Sequence, residues 1–576
     1  MPDTSHSDRD DVPSFDLTTQ PWIPVLRSNG QQDELSLRQV FEQASDLRRI
    51  VGDLPTQEFA LVRLLLAVAH DALGGPEDID DWSDLWSDEQ CFAPVGAYLE
   101  AHADRFDLLD TVAPFFQTAG LRTVKDEVFS LNRIVADVPN GDPFFSARMP
   151  TVERLTFAEA ARWVVHAHAF DTSGIKTGVE GDKRAKGGKV YPLGVGWAGN
   201  LGGVFVERPT LRETLLLNLV AADTTGLRID EQDAPAWRRD PCGPGGAERA
   251  PSGVRDLYTW QTRRLRLHFD ERGVHGVVLG YGDPLSPRNQ HSREPMTAWR
   301  RSKAQEKKLR ESLVYLPRDH DPERAAWRGI ASLIADASAP GQGADAPAYL
   351  RPQVLEWVAR LVSEGLLERG FLVRARVIGP KYGTQQSVID EIVDDSLSMA
   401  VVLLHQQDRR YAEQAIAAVE DADRAVYAIG DLATNLARAA GTETDGPRAT
   451  ARDHAYGLLE APYRAWLRDL AKAEDPYEQR TAWQRQVHKA AVAIGDRLTA
   501  AAGQGAWQGR VVATKKGTEW LNSALAGKWF RIALARDLGE PGLRGTLPGT
   551  AEGPATDEHA ATDEQPDSET TVKALA

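Results

Sequence analysis

The stretch 194-GVGWAGNLGGVFVERPTLRETLLLNLV-220 decides between two folds. Gly194, Gly196 and Gly199 stand at the G-x-G-x-x-G spacing with which a doubly wound domain holds a dinucleotide pyrophosphate. That chemistry needs a strand running into the first glycine and a helix opening at the last, so that helix N-terminal amides meet the phosphate. Here the third glycine leads into a turn and then 204-VFVE-207, which reads as a strand. The next helix opens only at Thr210, where Thr210 and Glu213 form a capping box ahead of Leu215, Leu216, Leu217 and Leu219. The glycines therefore read as a loop closing a hairpin, or as bare backbone that admits a close ligand. A nucleotide-dependent oxidoreductase using Gly194, Gly196 and Gly199 is the competing enzyme hypothesis.

Upstream, 174-GIKTGVEGDKRAKGGKVYP-192 sets Lys176, Lys183, Arg184, Lys186 and Lys189 among glycines, which predicts mobile cations suited to a polyanion such as a DNA groove. His166 and His168 in 163-WVVHAHAF-170 invite a metal. They lie two apart on a helix capped by Thr156 and Glu159, so they point to different sides and read as structural histidines. Downstream, 288-RNQHSREPMTAWRRSKAQEKKLR-310 is a basic stretch with Trp299 inside it, readable as a solvated helix face or a nucleic-acid surface. The strand-like 371-FLVRARVIG-379 leads into 379-GPKYGTQQSV-388, a turn that puts Gln385 and Gln386 on an exposed tip. The sequence holds no H-E-x-x-H, G-x-S-x-G or P-loop and proposes no nucleophile with its base, so neither an enzyme nor a cofactor is expected.

The wider chain fits an α+β protein with a large mixed N-terminal domain and a C-terminal four-helix bundle. Strand-like runs such as 204-VFVE-207 and 262-TRRLRLHF-269 mix with short helices before residue 395, and almost everything after it reads as helix. Val419, Ala422, Val426, Ile429, Ala433 and Leu436 step by three and four, predicting one helix over 397–440 that Gly441 ends. Further helices are expected over 448–473, from the N-cap Asp475 with Pro476 at the first position, and over 517–538 with Trp520, Leu521, Leu525, Trp529 and Ile532 inside. The expected organisation is residues 1–13 disordered, 14–394 a mixed α/β domain, 395–540 the bundle, and 541–576 a disordered acidic tail too poor in apolar residues to offset its ordering entropy.

At 576 residues and 42% hydrophobic content the chain can bury several cores. Cys91 and Cys242 stand far apart with no C-x-x-C, which excludes a disulfide framework or cysteine zinc site and suits a reducing compartment. No secretory signal or membrane span is legible, so a cytoplasmic protein is expected. Setting aside the −3 of residues 1–13 and the −5 of residues 541–576, the net charge of −17 becomes −9 for the body, which leaves room for local basic clusters.

Three segments together point to one family. The opening 15-FDLTTQPWIPVL-26, the run 196-GWAGNLGGVFVERPTLRETLLLNLV-220 and the turn 382-YGTQQSVIDE-391 resemble the CasA-type large subunit of Cascade, the type I-E CRISPR surveillance complex, and the order of elements is similar over roughly residues 14 to 540. The resemblance implies a non-enzymatic antiviral subunit in a ribonucleoprotein complex. Its partners would be the other Cascade subunits, crRNA, double-stranded target DNA and a recruited helicase-nuclease, with no membrane. It would recognise the protospacer-adjacent motif (PAM) from the minor groove and help to open the strands. By motif, Gly199, Asn200, Leu201 and Gly202 fall on the family's DNA-reading glycine loop, and Gln385 and Gln386 on its strand wedge. The family's lysine finger should lie after 283-DPLSP-287; no lysine occupies the expected place, and Arg293 is taken as the cation nearest to it. Phe144 or Phe145 in 139-PNGDPFFSAR-148 would be the aromatic contact of a mobile loop near the crRNA end.

Overall fold

The computed structural model describes residues 13–136, 151–334, 346–368, 370–404, 409–442, 444–514 and 517–538. The chain divides into two units, one built chiefly from residues up to 326 and from 332–397, the other from 327–331, 398–403 and the described residues from 409 onward. The expected α+β class is borne out, with small sheets of two or three strands among the described residues of the first unit and a helical C-terminal region. Among the described residues no helix is long and apolar enough to cross a membrane.

The first unit is organised around the helix Pro55–Leu73. Proline at its first turn and Gly74 in the left-handed region just past its end fix its limits. Nearly every side chain along it is buried, including Phe59, Leu61, Leu64, Leu65 and Val68, each contributing about 1.5–3 kcal/mol of transfer free energy. Arg63 is fully buried there as well. Its guanidinium donates to both Glu294 oxygens at 2.8 Å and lies 4.6–5.1 Å from the rings of Phe59, Trp197 and Tyr258. Pairing offsets the cost of burying such a charge, while Nε is left without a hydrogen-bond partner.

A three-stranded sheet places the strand Leu372–Tyr382, which runs three residues past the expected 371–379, between Val204–Glu207 and Ile389–Ala400, with Val377 opposite Val204 and Arg374 opposite Glu207. Val373, Ala375 and Val377 are buried, as alternation predicts. Arg376 breaks the pattern from within, because Glu58 and Asp394 hold its guanidinium at 2.5–3.0 Å. The strand Arg263–Asp270 pairs with Gly273–Tyr281 as a separate hairpin.

In the second unit Arg410–Ala440 packs against Gly446–Leu470, Pro476–Ala501 and Ser523–Leu538. Trp327, Tyr463, Trp466 and Trp483 form its aromatic centre, and Trp483 Nε1 donates to Ala418 O at 2.8 Å. Two expectations are corrected. The first long helix begins at Arg410 and not at Leu397, because Leu397–Ala400 end the strand that starts at Ile389 and Val401–Leu404 form a 3₁₀ turn. The run 399-MAVVLL-404 is wholly apolar and carries no period with which to separate strand from helix. The last helix begins at Ser523, not at 517. Asn522 caps it, its Oδ1 accepting from Leu525 N–H at 2.9 Å, while Gly517–Leu521 pairs with Arg510–Thr514 as a hairpin. Its buried face is Ala526, Phe530, Leu534 and Leu538; Trp520 and Ile532 stay more than half exposed.

Candidate nucleic-acid interface

The C-terminal end of the helix Phe157–Phe170 gathers the segments singled out above. Thr156 and Glu159 form the expected capping box at its start. At its other end, Trp197 N–H donates to His168 O, Gly199 N–H to Ala169 O and Gly196 N–H to Asp171 O, at 2.8–3.1 Å. Two residues further on, Ser173 N–H donates to Gln386 O at 2.7 Å, while Ser173 Oγ accepts from Gly194 N–H at 3.2 Å. One short piece of chain thus holds the glycine loop on one side and the glutamine turn on the other.

His166 and His168 complete this support and bind no common point. His166 Nε2 meets Thr56 Oγ1 at 2.9 Å and His168 Nε2 meets Phe116 O at 2.8 Å. Burial pushes both imidazoles down to about 3, so they are neutral packing groups at physiological pH. Among the described residues no cluster of His, Cys, Asp or Glu suits a metal ion.

The loop is not a dinucleotide cradle. Gly199 leads through turns into the strand Val204–Glu207. The helix Leu211–Asn218 follows only after Thr210, whose side chain accepts from Glu213 N–H; that is one half of the expected capping box, and the Glu213 carboxylate instead faces Arg208 at 3.5 Å. The room left by missing side chains is already occupied at several glycines. A Cβ on Gly196 would overlap the backbone of Ala169 and Phe170, one on Gly199 the Tyr382 hydroxyl, and one on Gly203 would lie 2.6 Å from the Phe59 ring. Gly202 differs. It takes φ +74°, is partly exposed, and a Cβ there would find nothing nearer than His320 Nε2 at 3.4 Å. Leu201 is fully buried, so only its backbone is available to a ligand, and Asn200 Nδ2 donates to Leu285 O at 3.3 Å.

At the glutamine turn Gly383 N–H donates to Val388 O and Gln386 N–H to Gly383 O, at 2.9–3.0 Å. Gln385 and Gln386 both lie in the left-handed region, at φ 57° and 54°. Such a conformation costs about 1–2 kcal/mol per residue with a side chain and tends to persist where function over-determines it. Gln385 is exposed and Gln386 partly so.

The cations are sorted differently from the expectation of a uniformly mobile run. Lys176 is buried, its Nζ 2.6 Å from Asp171 Oδ2, and Arg263 Nε shares the same carboxylate oxygen. Burial would raise the Asp171 carboxyl, but these two cations hold it below the usual range. Arg263 also donates to the carbonyls of Asp171, Thr172 and Gly194, pinning the start of the glycine loop. Arg184 is held by Asp182 and by the carbonyls of Tyr281 and Gly282. Lys183, Lys186 and Lys189 remain exposed around the turn joining Lys176–Thr177 to Lys189–Val190. In the basic stretch Trp299 is buried, Arg301 pairs with Glu306, and Arg300, Lys303, Lys307 and Arg310 are exposed. Arg293 is partly buried, 4.0 Å from Asp230, beside the fully buried Glu294. Phe144 and Phe145 lie outside the described residues. No local pattern marks Tyr382, Ser173 or His320 as parts of this site. Arg263 and Arg264 open a strand whose Leu265 and Leu267 are buried, and both are buried with it in ion pairs to Asp171 and Asp283.

Comparison with known proteins agrees with this architecture. The family model described as CRISPR-associated protein Cse1 matches residues 16–494. A CRISPR-associated protein CasA/Cse1 of Thermus thermophilus is 30% identical over 478 residues, covering 80% of this chain and 83% of its own. The crystal structure of Thermobifida fusca Cse1 superposes with TM-score 0.85 at 55% identity, covering 91% of this chain and 98% of that one. A chain from a CRISPR RNA-guided surveillance complex shares the fold, with TM-score 0.63 at 18% identity over 85% of this chain and 99% of its own.

Proposed function

Because the chain belongs to the CRISPR-associated Cse1 family, we propose that it is the large subunit of a crRNA-guided surveillance complex, assembled with the other Cascade proteins and crRNA, that recognises a short motif in duplex DNA and begins strand separation. Gly202 meets the minor groove through its backbone, flanked by Gly199, Asn200 and Leu201. Gln386, with Gln385 beside it, enters the stack next to the motif, and Arg293 supplies the nearby cation. The subunit carries no catalytic group of its own and offers a docking face to a recruited helicase-nuclease.

The observation that carries this reading is the pairing of an open left-handed glycine with two strained glutamines on the two sides of one helix end. The minor groove presents a degenerate code, so a reader built from backbone groups and a single cation tolerates several motifs while excluding others. A polar wedge can hold the first pairs apart while guide pairing supplies sequence specificity. The exposed Lys183, Lys186 and Lys189 fit contacts to phosphates, which position a duplex without reading it. The direct test is binding of the guide-loaded complex to duplexes with and without the motif, in the presence and absence of this subunit. Equal affinity for the two duplexes with the subunit present would sink the assignment.

A further inference from the structure

The last residues of the strand Leu372–Tyr382 grip the glycine loop at both of its ends. At one end Gly199 lies flush against the hydroxyl end of the Tyr382 ring, and that hydroxyl donates to Phe170 O at 2.8 Å. At the other, Ile378 N–H donates to Gly203 O at 3.0 Å. His320 fills the remaining gap there. Its Nε2 accepts from Gly203 N–H at 3.4 Å, and its Cδ2 stands 2.7 Å from where a Cβ on Gly379 would lie. Immediately beyond Tyr382 the same strand passes through Gly383 into Gln385 and Gln386. Neither Gly199 nor Gly379 leaves slack for its neighbour to move alone, because packed contacts shift together or not at all.

Resting on the function proposed above, we infer that Tyr382 and His320 are positioning residues that transmit occupation of the glycine loop to the glutamine turn, so that the motif governs the rate of strand opening and not only affinity. The coupling runs along one strand and through contacts at Gly199, Gly203 and Gly379, a contiguous physical link between the two places.

The test uses guide-loaded complexes and two measurements, duplex affinity by gel shift and strand opening by a fluorescent base analogue next to the motif, each on motif-bearing and motif-lacking duplexes. Tyr382→Leu is expected to keep the affinity ratio of the two duplexes within about twofold while lowering the opening-rate ratio by about fivefold or more. Tyr382→Phe keeps the ring carbons beside Gly199 but loses the hydroxyl that meets Gly199 most closely and donates to Phe170 O, so it should lower the opening-rate ratio by less than Tyr382→Leu does. His320→Leu should behave as Tyr382→Leu does, and His320→Gln, which still offers an acceptor to Gly203 N–H, as the unaltered protein. A parallel fall of both ratios in the leucine variants would make these residues structural supports only and overturn the inference, as would an unchanged opening ratio. The two leucine variants are independent, so failure of one to assemble leaves the other to decide. If the unaltered complex shows no preference for the motif at all, it is the proposed function that falls, a distinguishable result.

Discussion

His320 accepts the amide of Gly203 through Nε2 at 3.4 Å, so the protein keeps a neutral imidazole beneath the most open part of its glycine loop. Loss of contact with water pushes this ring down to about 4, and nearby Arg318 adds to the effect.

The same depression holds more strongly for His70, His166 and His168, which are buried and pushed down to about 3. Their unfolded forms take up protons near pH 6.5 while the folded forms do not, so the unfolded state is favoured as pH falls through the window from about 6.5 to about 3. Above pH 7 these groups contribute no further change. His320, still partly exposed, adds less. Urea midpoints at pH 7.5, 6 and 5 should decline in that order, and a flat series would contradict the placement of these histidines.

Replacing Gly202 by valine places a β-branched side chain at φ +74°, a conformation that costs about 1–2 kcal/mol, and it blocks the open side of the loop. Motif-bearing duplex should bind the assembled complex more weakly by about 1–3 kcal/mol, the worth of one lost groove contact. Assembly itself should survive. Unchanged affinity and unchanged motif preference in a gel-shift series would remove Gly202 from the site.

For the glutamine turn, Gln386→Ala should slow strand opening more than it weakens initial binding. Gln385→Gly isolates the backbone. It relieves one left-handed residue and should raise stability by roughly 0.5–1 kcal/mol. Normal opening in the alanine variant would refute the wedge, and a fall in melting temperature for Gln385→Gly would show that its backbone is not strained.

Changing Lys183, Lys186 and Lys189 together to alanine should weaken duplex binding alike for motif-bearing and motif-lacking DNA. If all three meet phosphates, the slope of log K against log salt falls in magnitude by about 2.7. A change confined to motif-bearing duplex would instead make this hairpin part of the reading surface.

Local signals were legible in the sequence and long-range ones were not. The caps at Thr156, Thr210 and Asp475 and the end at Gly441 lie where short-range hydrogen-bonding rules put them. The strand around Val373 follows from alternation, and the one at Val204–Glu207 from its run of β-branched and aromatic residues. What failed to show was decided by distant partners. Lys176 reads as a mobile cation until Asp171 and Arg263 are placed beside it, and nothing near Arg63 announces Glu294, 231 residues away. Gly199 and Gln386 are both recognisable as loop residues. That one helix end holds them both depends on contacts spanning more than 200 residues, to which no local pattern responds.

The fit of Gly199 to Tyr382, of Gly203 to Phe59 and of Gly379 to His320 has a practical consequence for re-engineering. A loop transplanted from a relative with a different motif preference would arrive shaped for that relative's own strand and ring residues. The smallest exchangeable cassette is therefore discontinuous, comprising the loop, residue 320, residues 378–386 and residue 59, and chimeras that move the loop alone should misfold locally before they can change specificity.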